Sequence, residues 1–195
     1  LTTQEQIDGA IEKNYDPIAV ATVIYPKIQT AIESAKTPDE LNNLRKQIDV
    51  VKDYIKKTLP QTNHSRQKQF QTCHQGDMLY LEASAKAGML WNKLENKIGR
   101  GNYSKSYDRN NSSLGVFDAG FTGAVDALRC GRIGEIYETD KEDWRTYKEE
   151  TFNNMQQPTV NGMEHVWKML HEENVPDEIE GKYRIVYADP PWSYG

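Results

Sequence analysis

Cysteine is scarce in this chain. Of 195 residues only Cys73 and Cys130 are cysteine, and they do not form a CxxC pair. That argues against a disulfide scaffold and against a cysteine-based zinc site, and it fits a reducing, cytoplasmic compartment. Long hydrophobic runs are missing too. Nothing approaches the ~18 consecutive apolar residues of a spanning helix, so a membrane is not expected as a partner. The first ten residues are polar and acidic, unlike a secretory signal. The Asn-x-Ser triplets at Asn63, Asn102, Asn110 and Asn111 are accordingly not read as glycan acceptors. Apolar residues make up 37% and charged residues 27%. That apolar share is low for a compact globule but enough for helices that bury one face.

Charge is unevenly spread. The net charge is −5, yet residues 1–40 carry −4, residues 41–110 carry +7 and residues 111–195 carry −8. A basic middle between acidic flanks is either a nucleic-acid footprint or a lysine-rich solvated helix face. Metal ligation has no candidate, since His165 and His171 stand six apart, the wrong spacing for one helix face.

Helical periodicity dominates residues 1–98. Ile18, Ala21, Ile24, Ile28, Ala31, Ile32 and Ala35 recur at spacings of three and four. Pro26 lies inside that pattern and is expected to kink or split it. Thr37-Pro38-Asp39-Glu40 is a helix start signal: an N-cap threonine, proline at the first helical position and glutamate at the third. Leu41, Leu44, Ile48, Val51, Ile55 and Leu59 then form a narrow seam that Pro60 should end, suited either to a helix pair within one chain or to a homodimer. A third helix is expected over about residues 66–98. In it Ala83, Ala85, Ala87 and Gly88 make a small-residue patch that lets another helix approach closely. Cys73, His74 and Met78 are read as packing residues. The region is expected to be a helical hairpin or small bundle.

Residues 99–113, rich in Gly, Asn, Ser and Tyr, read as a linker. Residues 114–180 read as helical, the first part as short pieces punctuated by Gly115, Gly120, Gly123, Gly131 and Gly134. A helix-turn-helix can be drawn there with Thr122 to Leu128 as its second helix. Arg129 and Arg132 are then the candidate nucleic-acid contacts, although Asp118 and Asp126 would repel phosphate. Residues 138–172 continue with an acidic helical pattern that Pro158 and Gly162 interrupt. The pairs Glu172-Glu173 and Asp177-Glu178 read as solvated loop charges.

The last segment changes character. Tyr183-Arg184-Ile185-Val186-Tyr187-Ala188 is β-branched and aromatic and predicts a strand. It runs into Asp189-Pro190-Pro191-Trp192, placing a carboxylate at the carboxyl end of a strand, where open α/β sheets bind ligands. An adenine exocyclic amine is a poor nucleophile because its lone pair is delocalised into the ring. Asp189 can accept one of its hydrogens, and the Pro190 carbonyl, stiffened by Pro191, can accept the other. Such orientation would localise the lone pair for in-line attack on a sulfonium methyl. Trp192 offers a face for stacking the base, which in a duplex must first be flipped out. The other reading of the four residues is a turn after a strand. Chance produces the string on the order of once in a million positions.

The ending YRIVYADPPWSYG resembles the amino-methyltransferase family named for the seventy-kilodalton MT-A subunit of the mRNA adenosine methyltransferase. That family includes bacterial and phage DNA N-6-adenine methyltransferases. KTPDELNNLRKQIDVVKDYIKK, YLEASAKAGMLWNKLE and SLGVFDAG resemble the helical leader of phage-type members. The resemblance implies an S-adenosylmethionine-dependent enzyme acting on DNA, with Asp189, Pro190, Pro191 and Trp192 as catalytic loop and Asp189 and Pro190 against the cofactor. It also implies that most of a Rossmann-like domain follows the signature. The expectation is therefore a mainly α chain: leader 1–98, linker 99–113, helical region 114–180, and 181–195 as the first strand of an incomplete α/β methyltransferase domain, inactive as an N-terminal fragment. The alternatives are a non-enzymatic helical module that binds DNA or dimerises, and an RNA methyltransferase.

Overall fold

The computed structural model describes residues 3–13, 15–59, 63–94 and 115–171. Within them the chain is helical: α1 Thr3–Glu12, α2 Pro17–Ser34, α3 Pro38–Thr58, α4 Asn63–Asn92, α5 Ala124–Thr139, α6 Lys141–Asn153 and α7 Val160–His171. None of these helices is long and apolar enough to cross a membrane.

Local chemistry starts α2 and α3. The Asp16 side chain accepts from the Ile18 N–H at 3.1 Å, with Pro17 in the first turn. At α3 the expected capping box is complete. Thr37 Oγ1 accepts from the Glu40 N–H at 3.3 Å, and Glu40 Oε2 accepts from the N–H groups of Thr37 and Lys36 at 3.2 and 2.8 Å. Those backbone bonds hold the Glu40 carboxyl below its ordinary range. Leu59, extended at ψ 131°, caps the far end, as a residue before proline should. Pro60 itself lies outside the described residues.

The seam of α3 is spent within the chain. Leu41, Ile48, Val51 and Ile55 are fully buried, in one core with Val20, Ala21, Ile24, Tyr25, Ile28 and Ile32 of α2 and Cys73, Ala83, Ala87 and Trp91 of α4. A dimer would need another surface. Pro26 neither splits nor ends α2, which runs unbroken across it. The proline lies on the exposed face, so the carbonyl one turn back, at Thr22, loses its N–H partner where water can replace it.

α4 is the central helix, about 45 Å long at 1.5 Å per residue. Its second face, with Leu81 and Ala85, joins a smaller core with Ile133 and Ile136 of α5 and Met163 of α7. The small-residue patch works as its composition suggests. A Cβ on Gly88 would collide with the Cys130 carbonyl, and one on Gly134 would stand 2.7 Å from the Ala85 carbonyl oxygen. Backbone therefore meets backbone where α4 crosses α5.

From Gly115 onward the segment expected as short pieces over 114–134 takes another form. Gly115 to Phe121 form one turn, with Ala119 N–H on the Gly115 carbonyl at 3.0 Å, and Gly120 (φ +79°) ends it. α5 then runs unbroken through Gly131 and Gly134. Each interior glycine costs about 1 kcal/mol of helix propensity, and close contact with α4 offsets it. Residues 115–134 also share the first core, through Val116, Ala119, Phe121, Ala127 and Cys130. Pro158 does separate α6 from α7. Gly162 does not interrupt but lies in the first turn of α7, under the Tyr147 hydroxyl. The linker, the acidic pairs after His171 and the strand expected at 183–188 lie outside the described residues.

Candidate functional site

A cleft of about 740 Å³ opens between α3–α4 and the starts of α5 and α7. One wall holds Arg45 and Lys52 of α3 with Asp77 and Tyr80 of α4; the other holds residues 122–126 and 157–161 together with Arg129. Arg45 and Lys52 stand seven residues apart, both at the edge of the buried seam, so helical geometry turns both toward α4. The Tyr80 ring lies beneath both cations, at 4.8 Å from the Arg45 guanidinium and 5.4 Å from the Lys52 ammonium.

Each cation has a carboxylate. Arg45 makes a bidentate pair with Asp126, at 3.0 and 3.2 Å, and also donates to Asn42 Oδ1 at 2.6 Å and the Tyr80 hydroxyl at 3.0 Å. Asp126 further accepts from the Thr122 N–H at 3.1 Å. Burial opposes the Asp126 carboxylate, but the Arg45 pair and that backbone bond outweigh it and hold its pKa below the ordinary range. Lys52 meets Asp77 at 2.5 Å and Asp49 at 3.2 Å. Burial pushes the Asp77 carboxyl up, and the Lys52 bond only partly opposes it. Two buried atoms on this wall have no partner, Arg45 Nε and Asp77 Oδ2.

The proposed nucleic-acid residues Arg129 and Arg132 converge on one side chain. Arg129 reaches Glu164 at 3.1 Å, Arg132 makes a close ion pair with the same carboxylate, and Lys168 stands 3.9 Å away. Glu164 is buried, while Arg129 keeps 41% of its side chain exposed. Arg132 also lies over the Trp167 ring at 4.9 Å. Both arginines are thus held by α7, and Arg129 alone of the two reaches the cleft.

Neither thiol is poised as a nucleophile. Burial pushes Cys130 up to about 12 and also raises Cys73. His74 sits in a smaller pocket between α4 and α6, edge-on to Phe152 and 3.2 Å from Thr151 Oγ1. No group of three or more metal-ligating side chains occurs among the described residues. Asp189, Pro190, Pro191 and Trp192 lie outside the described residues. Arg45, Lys52 and Asp77 escape a reading by apolar periodicity. Their one signal is charge at the edge of a buried stripe. Comparison with family models, with curated proteins and with solved structures finds no match to this chain.

Proposed function

We propose that this chain is the helical leader and the catalytic-loop start of an adenine methyltransferase acting on DNA. One observation carries the reading: a strand-like YRIVYA segment running into Asp189-Pro190-Pro191-Trp192. Residues 181–195 are then the first strand and loop of a Rossmann-like domain, and the helices before them are its leader. The donor set fits an amine better than a metal, since it offers one carboxylate, one backbone carbonyl and one indole. Asp189 and the Pro190 carbonyl hold the two amine hydrogens, Pro190 and Pro191 keep that backbone rigid, and Trp192 stacks the base. S-adenosylmethionine, the donor this reading requires, supplies the methyl group.

The test uses the polypeptide as its gene encodes it, with labelled S-adenosylmethionine and duplex DNA. Methyl should appear on adenine N-6, and Asp189→Ala should lower the rate by about 10² or more, the scale of losing one positioned polar group. An undiminished rate in Asp189→Ala, or no transfer to DNA by the unaltered polypeptide, would reject the reading.

A further inference from the structure

We infer that α6 is a flap, latched onto α4 through His74 and released when that imidazole takes up a proton. This does not depend on the role assigned to residues 183–195.

α6 is loosely anchored. Of its 13 residues only Thr151 is buried. Its ion pairs, Arg145 with Glu142 and with Glu149, stay within the helix. Trp144 packs on Tyr137 of α5 at 4.9 Å, and the Tyr147 hydroxyl accepts from the Thr159 N–H at 3.1 Å. Neither tie reaches α4. Among the described residues one hydrogen bond joins α6 to α4, between His74 Nε2 and Thr151 Oγ1, with the Phe152 ring beside it at 5.2 Å from His74 and 6.0 Å from Phe70. Next to these contacts the two helices leave a cavity of about 320 Å³, where closely packed helices would leave none. Both ends of α6 can turn. Asp140 closes α5 and opens α6 at φ −119°, ψ 63°, without a side-chain cap bond. At the other end Met155 takes φ 53°, a conformation that a non-glycine residue holds only under constraint.

The latch can titrate. The charged groups around His74 are Asp77 on α4, Lys148 and Glu149 on α6, and Lys52 and Lys56 on α3. Asp77 is already bound to Lys52. Glu149 and Lys56 are exposed, so water and salt screen them. Burial and Lys148 outweigh Asp77 and disfavour the imidazolium in the closed state. In the open state the ring reaches water and Lys148 leaves with α6. A proton therefore binds the open state better and shifts the population toward it. Opening uncovers Phe70, His74 and Met78, which stand four apart on one face of α4.

Hydrogen exchange of the whole chain, read by mass spectrometry and expressed as protection relative to the unstructured rate at each pH, tests this. Between about pH 7.5 and about pH 5.5, protection of the α6 amides should fall by about threefold to tenfold, the range open to one imidazole with an ordinary value near 6.5. α2 and α3 should keep theirs. His74→Gln retains a donor for Thr151 but does not titrate, and should abolish the difference. Lys148→Glu changes only an exposed side chain, puts a carboxylate beside the imidazolium and should shrink it. Equal α6 protection at both pH values, a loss shared by α2 and α3, or a difference that Lys148→Glu leaves at full size overturns the proposal.

Discussion

At Gly88 a single methyl group decides whether α4 and α5 can meet. The position faces the Cys130 carbonyl so closely that a Cβ would force backbone apart, whereas a Cβ on Gly9 of α1 meets nothing within 4 Å. Gly88→Ala should therefore destabilise by about 2 kcal/mol or more despite better helix propensity, while Gly9→Ala should stabilise by about 0.5–1 kcal/mol; urea unfolding of both variants checks the contrast. Met155 is the reverse case. It takes φ 53° after α6, and the N–H groups of Gln156 and Met155 bond the carbonyls of Thr151 and Phe152 at 2.8 and 3.1 Å. That bonding pattern usually ends on glycine. Met155 is 64% exposed, so its side chain gives little packing in return, and Met155→Gly should raise stability by about 1 kcal/mol. The crowding at Gly88 was legible because small residues cluster around it in the sequence. The left-handed turn at Met155 was not, because methionine carries no signal for that conformation.

Helix starts set by neighbouring residues were the most legible elements. Thr37, Pro38 and Glu40 begin α3 wherever that helix packs, and the structure shows both halves of the box. Thr37→Ala should cost about 1 kcal/mol, measured by thermal unfolding. Interruptions were the least legible. Pro26, Gly131, Gly134 and Gly162 all read as breaks, yet each lies inside a continuous helix. Their fate depends on what faces them: solvent at Pro26, another helix at Gly131 and Gly134, the Tyr147 ring at Gly162. The junction of α4 with α6 adds a dependence on pH. His74 is 4% exposed and bonded to Thr151 Oγ1, whose own hydroxyl donates to the Tyr147 carbonyl at 2.8 Å. His74 Nε2 must then be the donor. Burial holds the imidazole pKa below its ordinary value, with Lys148 of α6 adding to the effect and Asp77 opposing it. The unfolded chain takes up this proton first as pH falls. The stabilisation is therefore complete above about 6.5, the ordinary imidazole value, and is lost as pH drops through it. Melting temperature should begin to fall above about pH 5.5, before Glu40 and Asp126, whose carboxyls are held low, lose theirs nearer the carboxylate range. His74→Gln keeps a donor for Thr151 and should flatten that part of the profile; an unchanged profile would remove His74 as the cause.

Across the whole molecule, the helices on either side of the α4–α5 crossing are tied by one buried polar network. Arg45 of α3 grips Asp126 of α5, and Asn42, which accepts from Arg45, donates to the Ala119 carbonyl at 2.8 Å. Arg45 and Asp126 are 81 positions apart, so no local pattern announces their pairing. A charge at the edge of a seam normally reaches water; here it is covered because Gly88 and Gly134 let α5 come close. The bundle was thus legible from periodicity, while the cleft required the crossing to be known. The tie makes an uneven prediction. Arg45→Met removes one partner and leaves the mostly buried Asp126 carboxylate with only the Thr122 N–H and hydroxyl and the Cys130 thiol, which should cost about 3–5 kcal/mol. Asp126→Asn leaves the guanidinium its bonds to Asn42 and Tyr80 and keeps a side chain for the Thr122 N–H, so it should cost less. The double variant removes both charges and should be more stable than the sum of the two losses implies, by about 1–3 kcal/mol. Additive losses in urea unfolding would mean that Arg45 holds α5 through packing and Asn42 rather than through its charge.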